Sequence, residues 1–145
     1  MQERVLLLAS HGGLAEGMRD TAAMVLGEFP CEVRTYSLLP GMNAQDAVAT
    51  LREEVERRPQ TEFVILTDVY GASVFTAFCQ LLSYSNVRLF CGMNAAMVLS
   101  LLIEHSAGLD GDGALAVQET AREGVRYMTA GDLLGDVQAE EPEDF

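Results

Sequence analysis

The chain has 145 residues, of which 49% are apolar and 21% are charged, a composition typical of one compact globular domain. Twenty-two acidic residues stand against nine basic ones, and the formal net charge of −13 disfavours nucleic acid and anionic membranes as partners. All nine basic residues are arginine. Without lysine, mechanisms that need a Walker A lysine, a Schiff-base lysine or the lysine of phosphoacceptor receiver domains are excluded.

Cysteine and histidine do not suggest a metal site. Cys31, Cys79 and Cys91 lack zinc-type spacing, and their odd number indicates free thiols in a reducing compartment. His11 and His105 are the two histidines of the chain. We therefore expect neither a metal nor an organic cofactor.

Two apolar runs bear on localisation. The run 5–9 near the N-terminus is too short for the core of a signal peptide. The run 95–103 is about half as long as a membrane-spanning helix. We expect a cytoplasmic protein with no direct membrane insertion.

The first elements along the chain are a predicted strand, a turn and a helix. The continuous apolar run 5–9 predicts a strand that is buried on both faces of a parallel sheet. It ends at Ser10, and the pair Gly12-Gly13 precedes a segment, 14–26, whose apolar residues recur at helical spacing. Gly27 is predicted to end this helix.

Three more strand and helix pairs follow. The predicted strands are 31–38, 63–67 and 87–91, and the fourth helix is predicted from residue 95 to about 104. Apolar stripes outline the second and third helices: Ala44, Val48, Leu51 and Val55, then Val74, Phe78, Leu81 and Leu82. This alternation predicts an α/β fold, an open and mainly parallel sheet of strand order 2-1-3-4 with helices on both faces.

The C-terminal part gives a weaker signal. We predict a loop at 108–113 and then a fifth helix outlined by Val117, Ala121, Val125 and Met128. The domain is expected to cover residues 1–131. Residues 132–145 carry six acids and no base, so we expect an acidic segment that is flexible at its end.

The predicted sheet indicates where a ligand would bind. In open α/β sheets the binding crevice lies beyond the carboxyl ends of the strands, where the strand order reverses. His11 and Asp68 directly follow the two strands that border this crevice. A carboxylate that accepts from Nδ1–H leaves Nε2 outward as a nucleophile or base. A turn histidine and a loop-starting acceptor would explain the same two residues equally well.

The turns around these residues favour an anionic group. Gly12 and Gly13 place His11 at the start of the first helix, where free N–H groups and the helix dipole attract a phosphoryl group. A second helix begins near Ser73. We expect Ser73 to be its N-cap, with contact to a phosphoryl group as the alternative.

Five segments in this order resemble the mannose-family EIIA component of the bacterial phosphoenolpyruvate-dependent sugar phosphotransferase system, over about residues 4–128. They are Ser10-His11-Gly12-Gly13-Leu14-Ala15-Glu16-Gly17-Met18, Pro40-Gly41-Met42-Asn43, Thr67-Asp68-Val69-Tyr70-Gly71-Ala72-Ser73-Val74-Phe75, Gly92-Met93-Asn94 with Met97, and Glu119-Thr120-Ala121-Arg122-Glu123-Gly124. The family usually has proline where this chain has Val74 and Ala96, and this difference leaves partner specificity open.

The resemblance implies specific roles. His11 would be phosphorylated on Nε2, Asp68 would orient it through Nδ1, and Gly12, Gly13, Gly71 and Ser73 would surround the phosphoryl group. The phosphocarrier HPr would be the donor and an EIIB histidine the acceptor, in sugar uptake or in regulation by phosphorylation state, and the protein could associate with a membrane sugar permease complex. The family also implies a homodimer, with a C-terminal strand exchanged between subunits as an antiparallel edge strand.

Two other classes of function stay open on the sequence. One is a flavodoxin-like or receiver-like regulatory binding module without catalysis, which the fold alone permits. The other is a hydrolase that uses Ser73, His11 and Asp68, although Ser73 lacks a G-x-S-x-G context.

Overall fold

The computed structural model describes residues 2–136. Its centre is a four-stranded sheet of order β2-β1-β3-β4 in which every neighbouring pair is parallel. The strands are β1 (Arg4–His11), β2 (Glu32–Leu38), β3 (Glu62–Thr67) and β4 (Val87–Cys91). The predicted fold class and strand order are confirmed.

Helices connect the strands and cover both faces of the sheet. The α-helices are α1 (Leu14–Leu26), α2 (Ala44–Arg57), α3 (Ser73–Cys79), α4 (Ala95–Leu99), α5 (Gly111–Glu123) and α6 (Ala130–Asp136). A 3-10 turn, Gln80–Ser83, extends α3, and a π-helical turn, Ser100–Glu104, extends α4. No helix among residues 2–136 is long and apolar enough to cross a membrane.

The side chains of β1 alternate between two apolar cores. Leu6 and Leu8 pack with residues of α1, α4 and α5, whereas Leu7 and Ala9 pack with residues of α2 and α3. β1 is buried on both faces because it lies inside the sheet with a helical layer on each side. The loops that follow β1 and β3 therefore extend from the buried centre of the domain.

The fifth helix differs from the predicted one at both ends. It begins at Gly111, because the Asp110 side chain accepts a hydrogen bond from Gly113 N–H at 2.6 Å and caps it. It ends at Glu123, so the prediction that Val125 and Met128 belong to it was wrong. Gly124 is required where the chain leaves the helix, because a Cβ there would lie 2.9 Å from the Ala96 Cβ.

Two predictions for the third helix were also wrong. Ala72, not Ser73, is the N-cap residue, and Ser73 is already the first residue of the helix. Leu82 is 48% exposed because the α-helix tightens into a 3-10 turn after Cys79, which rotates Leu82 off the buried stripe. Val74, Phe78 and Leu81 are fully buried.

The outer strands β2 and β4 form the two edges of the sheet. Within residues 2–136, β2 and β4 each pair with one neighbour, and the extra antiparallel edge strand stays a prediction. Residues 137–145 of the acidic segment lie outside the described residues, so the expected flexible end stays a prediction as well.

Candidate functional site

His11 and Asp68 lie side by side because their strands are neighbours. β1 and β3 run parallel with Ala9 opposite Thr67, so His11 at the end of β1 reaches the residue that follows β3. Both positions lie at the carboxyl edge of the sheet, where β2 and β3 flank β1 and the strand order reverses.

Two hydrogen bonds join His11 to a single oxygen of Asp68. The backbone N–H of His11 donates to Oδ2 at 2.9 Å, and Nδ1 lies 2.8 Å from the same oxygen. The Asp68 side chain is 6% exposed, whereas that of His11 is 45% exposed. A carboxylate at this position favours the tautomer with a proton on Nδ1, which leaves the Nε2 lone pair free.

The carboxyl group of Asp68 is held in its ionised form. Burial alone would raise its pKa, but hydrogen bonds from the backbone and ring of His11, with contributions from the backbone of Val69 and of Asp68 itself, together lower the pKa. Oδ1 is buried and has no hydrogen-bond partner within the described chain. Oδ2 is therefore the oxygen of Asp68 that binds His11.

Ser73 is the third side chain at this point. Its Oγ lies 3.1 Å from His11 Nε2, and the side chain is exposed. A serine hydroxyl donates to an unprotonated Nε2, so this contact agrees with the tautomer that Asp68 favours. On the sequence, Ser73 is joined to His11 only in the hydrolase alternative and in the phosphoryl surround that the family resemblance implies. Its position depends on the path of the β3–α3 loop, in which Gly71 has a φ of 80°.

The two glycines after His11 have different environments. Gly12 has a φ of 56°, a conformation that favours glycine, and its N–H donates to the Leu38 carbonyl at 3.0 Å. Gly13 is the N-cap of α1, where the first N–H groups of the helix lack intrahelical partners. The N–H group of Gly12 is thus used within the turn. The N–H groups that an anion next to His11 could use begin at Gly13, at the start of α1.

Exposed apolar side chains lie on the loops at the same carboxyl edge of the sheet as His11. They come from the start of α1, the β2–α2 loop and the β3–α3 loop, and we name this set the apolar rim: Leu14, Leu39, Met42, Val69 and Tyr70, which are 47% to 78% exposed. The centroids of the Tyr70 and Phe75 rings are 5.1 Å apart. An open cleft of about 580 Å³ adjoins the rim between the β2–α2 loop and α3, and Ser73 and Met42 line it.

Fold and site together define a class of protein. The chain is a doubly wound parallel α/β protein with a histidine and carboxylate pair at the point where its strand order reverses. Among residues 2–136, no three His, Cys, Asp or Glu side chains are grouped as metal ligands would be.

Comparison with known proteins identifies the family. The family model EIIA-man, described as "PTS system fructose IIA component", matches residues 5–118. The chain belongs to this mannose-type EIIA family of the phosphotransferase system, so the resemblance inferred from the motifs is confirmed.

Individual relatives agree with this membership. The mannose-specific EIIAB component of Escherichia coli K12 is 30% identical over 129 residues, which cover 86% of this chain and 39% of that protein. The chain thus matches about two fifths of the length of that relative. The sorbose-specific EIIA component of Klebsiella pneumoniae is 30% identical over 97 residues, 66% of this chain and 70% of that protein.

A solved structure supports the fold. The phosphotransferase component EIIA from Streptococcus agalactiae superposes with a TM-score of 0.74 at 20% identity and covers 86% of this chain and 96% of that chain. At this identity the likeness concerns the fold alone.

Proposed function

We propose that this protein is a phosphohistidine carrier that takes a phosphoryl group from HPr on Nε2 of His11 and passes it to a histidine of an EIIB protein. The observation that carries the proposal is the 2.8 Å contact between His11 Nδ1 and the buried carboxylate of Asp68. It leaves Nε2 as the nucleophilic atom on the exposed side of the ring.

The chemical step is an in-line displacement at phosphorus. The Nε2 lone pair attacks the phosphoryl group of the donor phosphohistidine, the N–P bond to the donor breaks, and its electron pair returns to the donor imidazole. The His11 ring gains positive charge as the new N–P bond forms, and the Asp68 carboxylate stabilises that charge through Nδ1–H. Transfer to the acceptor reverses these steps.

The neighbouring groups hold the transferred phosphoryl group. When Nε2 is phosphorylated, its lone pair forms the N–P bond and can no longer accept a hydrogen bond from Ser73. The Ser73 hydroxyl then donates to a phosphoryl oxygen instead. The N–H groups that begin at Gly13 and the dipole of α1 attract the same oxygens. Gly12 and Gly71, with φ of 56° and 80°, shape the two turns that border this space.

The apolar rim is the docking surface of the carrier proteins. Five exposed apolar side chains around one exposed histidine form a patch of the kind that marks interaction sites. The donor and the acceptor use this patch in turn, because both must bring a histidine to Nε2. The net charge of −13 attracts a basic partner, in the cytoplasm or at a membrane permease complex.

We also propose a homodimer built on the free edge of β4. The other free edge, β2, carries Glu32 and Arg34, and Arg19 donates to its Val33 carbonyl at 3.1 Å; charges of this kind discourage strand pairing. A cleft of about 470 Å³ borders β4. After α5 the exposed residues Val125 and Tyr127 supply apolar side chains that a second copy would cover. Residues 1–131 form the carrier domain in this proposal.

The test of the carrier function is an intact-mass measurement. The purified protein is incubated with phosphoenolpyruvate, enzyme I and HPr, and its mass is recorded before and after mild acid. We expect one acid-labile phosphoryl group, which is lost in His11→Gln and kept in His105→Gln, the matched control at the other histidine. The carrier function is wrong if an active donor adds no phosphoryl group to the wild-type protein.

The contacts of Ser73 favour a second candidate, a serine hydrolase. Ser73 Oγ lies 3.1 Å from His11 Nε2, and His11 Nδ1 lies 2.8 Å from Asp68 Oδ2. These contacts have the order of a serine, histidine and aspartate triad. Family membership favours phosphoryl transfer instead. Ester hydrolysis that is abolished by Ser73→Ala would establish the hydrolase.

A further inference from the structure

Ser10, which directly precedes His11 in β1, makes an unusual connection to helix α1. Its side chain is fully buried. Its Oγ accepts a hydrogen bond from the Ala15 N–H at 2.8 Å, and its hydroxyl lies 3.4 Å from the Gly12 carbonyl oxygen. One hydroxyl thus joins the end of β1 to the first turn of α1.

Three other helices, α2, α4 and α5, begin differently, because each has a side-chain N-cap. The side chains of Asn43, Asn94 and Asp110 are N-caps of α2, α4 and α5 and accept from N–H groups two or three residues further on. The N-cap of α1 is Gly13, which has no side chain to do this. Ser10 supplies the missing acceptor from the opposite side of the turn, five residues before Ala15.

This connection encloses His11 in a closed turn. The hydrogen bond from Ala15 to Ser10 spans four residues, from His11 to Leu14. The Gly12 N–H anchors the middle of the turn to the Leu38 carbonyl at 3.0 Å, and the His11 N–H is anchored to Asp68. Without the Ser10 hydroxyl, the fully buried Ala15 would keep an N–H with no acceptor, and α1 would be free to shift relative to β1.

We infer that Ser10 is a positioning residue for phosphoryl transfer: its hydroxyl keeps the start of α1 and the His11 ring in the relative positions that the reaction needs. The inference rests on the proposed function, because it concerns the same histidine. Ser10 does not touch Nε2 or the phosphoryl group. It acts through the turn, where a displacement of about 1 Å can slow a transfer step about 100-fold.

The experiment compares Ser10→Ala with Asp110→Ala and Ser10→Thr. Asp110→Ala removes the side-chain N-cap of α5, a helix whose start is not part of the turn around His11. This variant is the control for the loss of a helix cap alone. Ser10→Thr keeps the hydroxyl. For each folded variant, single-turnover phosphorylation by phosphorylated HPr gives the maximal rate (kcat) and the concentration of phosphorylated HPr at half that rate (KM). Thermal unfolding is followed, and nitrogen NMR of the imidazole reports which ring nitrogen of His11 is protonated.

We expect Ser10→Ala to lower kcat about 10- to 100-fold with KM changed less than about twofold. Its His11 ring should change from one tautomer to a mixture. Asp110→Ala should lose thermal stability but keep the wild-type kcat and tautomer, and Ser10→Thr should recover both. The inference is overturned if Ser10→Ala retains the wild-type tautomer, or if its kcat per folded molecule equals that of Asp110→Ala.

The proposed function and this inference can fail separately. A wild-type protein that accepts no phosphoryl group contradicts the carrier function, and the tautomer measurement then still decides whether Ser10 positions His11. If Ser10→Ala is too unstable for kinetics, its tautomer spectrum at low temperature decides the same point, with Ser10→Thr as the variant that keeps the hydroxyl.

Discussion

Asp68 Oδ2 accepts two hydrogen bonds from His11, one from its backbone N–H at 2.9 Å and one from Nδ1 at 2.8 Å. The backbone bond fixes where the carboxylate lies relative to the main chain of His11, and the ring bond then fixes the rotation of the imidazole. Main chain and ring are held by one buried atom, so the direction of Nε2 is set before any partner binds.

Replacing Asp68 by asparagine tests this arrangement. An amide can present either its oxygen or its NH₂ group to Nδ1, and the NH₂ group favours the tautomer whose Nε2 carries the proton and cannot attack phosphorus. We expect Asp68→Asn to slow phosphorylation of His11 by about 100-fold or more with the fold retained. Rapid-quench measurement of phosphoryl transfer checks the rate, and a wild-type rate would remove Asp68 from the mechanism.

The contact between Ser73 and His11 leads to a prediction about the phosphorylated state. Ser73→Ala removes the hydroxyl that lies 3.1 Å from Nε2 but leaves Asp68 and its effect on the ring unchanged. We expect phosphorylation of His11 to persist and the phosphohistidine to lose its phosphoryl group to water about 3- to 10-fold faster, as expected for the loss of one hydrogen bond of about 1 kcal/mol. The half-life of the isolated phosphoprotein measures this, and an unchanged half-life would contradict the role of Ser73.

Tyr70 should account for much of the binding of carrier proteins at the apolar rim. It is 78% exposed, and its ring is supported by Phe75, so it offers a large apolar surface with little loss of side-chain freedom. We expect Tyr70→Ala to raise KM for phosphorylated HPr about 10-fold with kcat nearly unchanged. Met24→Ala is the matched control, because Met24 is 92% exposed but lies in the last turn of α1. Equal effects of the two variants would exclude the rim as the docking surface.

Much of the fold could be predicted because its signals are local. The apolar run of β1 and the glycines after it separate strand from helix in the sequence alone, and the parallel order then brings His11 to Asp68. The end of α5 could not be predicted from periodicity, since Val125 continues the stripe but Gly124 must pack against Ala96. That packing is a tertiary contact.

The finer parts of the site depend on the paths of two turns. Ser73 reaches Nε2 only because the β3–α3 loop turns at Gly71, and no periodic pattern records that direction. The role of Ser10 left only a weak signal in the sequence. The N-cap of α1 is a glycine, which has no side chain to accept a hydrogen bond, so a nearby residue such as Ser10 must supply the acceptor. Recognition of that pattern requires knowing where the helix begins.

The proposed dimer predicts an effect at a position remote from His11. Tyr127 is 90% exposed in the single chain, so a charged side chain there should not disturb the monomer. We expect Tyr127→Asp to convert the dimer to a monomer in light scattering and to keep the thermal stability of the monomeric fold. A wild-type protein of monomer mass at micromolar concentration would contradict the dimer, and a dimer that persists in Tyr127→Asp would place the interface elsewhere.

Glu54 should make the stability of the fold depend on acid. Arg34 donates to it at 2.6 and 2.8 Å, and hydrogen bonds from Arg34, with a contribution from Arg58, lower the pKa of Glu54 from 4.5 to about 2. A carboxyl with a lowered pKa in the folded state stabilises the fold fully above its unfolded pKa, and this contribution is lost as the pH falls from about 4.5 towards 2.

We therefore expect Glu54→Gln to lower the free energy of unfolding by about 2 kcal/mol at pH 7 and to approach the wild type in acid, where both side chains are neutral. Glu53→Gln removes the same charge from an exposed position on the same helix and should change the stability by less than about 0.5 kcal/mol. Urea unfolding between pH 3 and pH 7 measures both. A difference between Glu54→Gln and wild type that stays constant down to pH 3 would show that shape rather than charge is what Glu54 contributes, since its ion pairs weaken in that range.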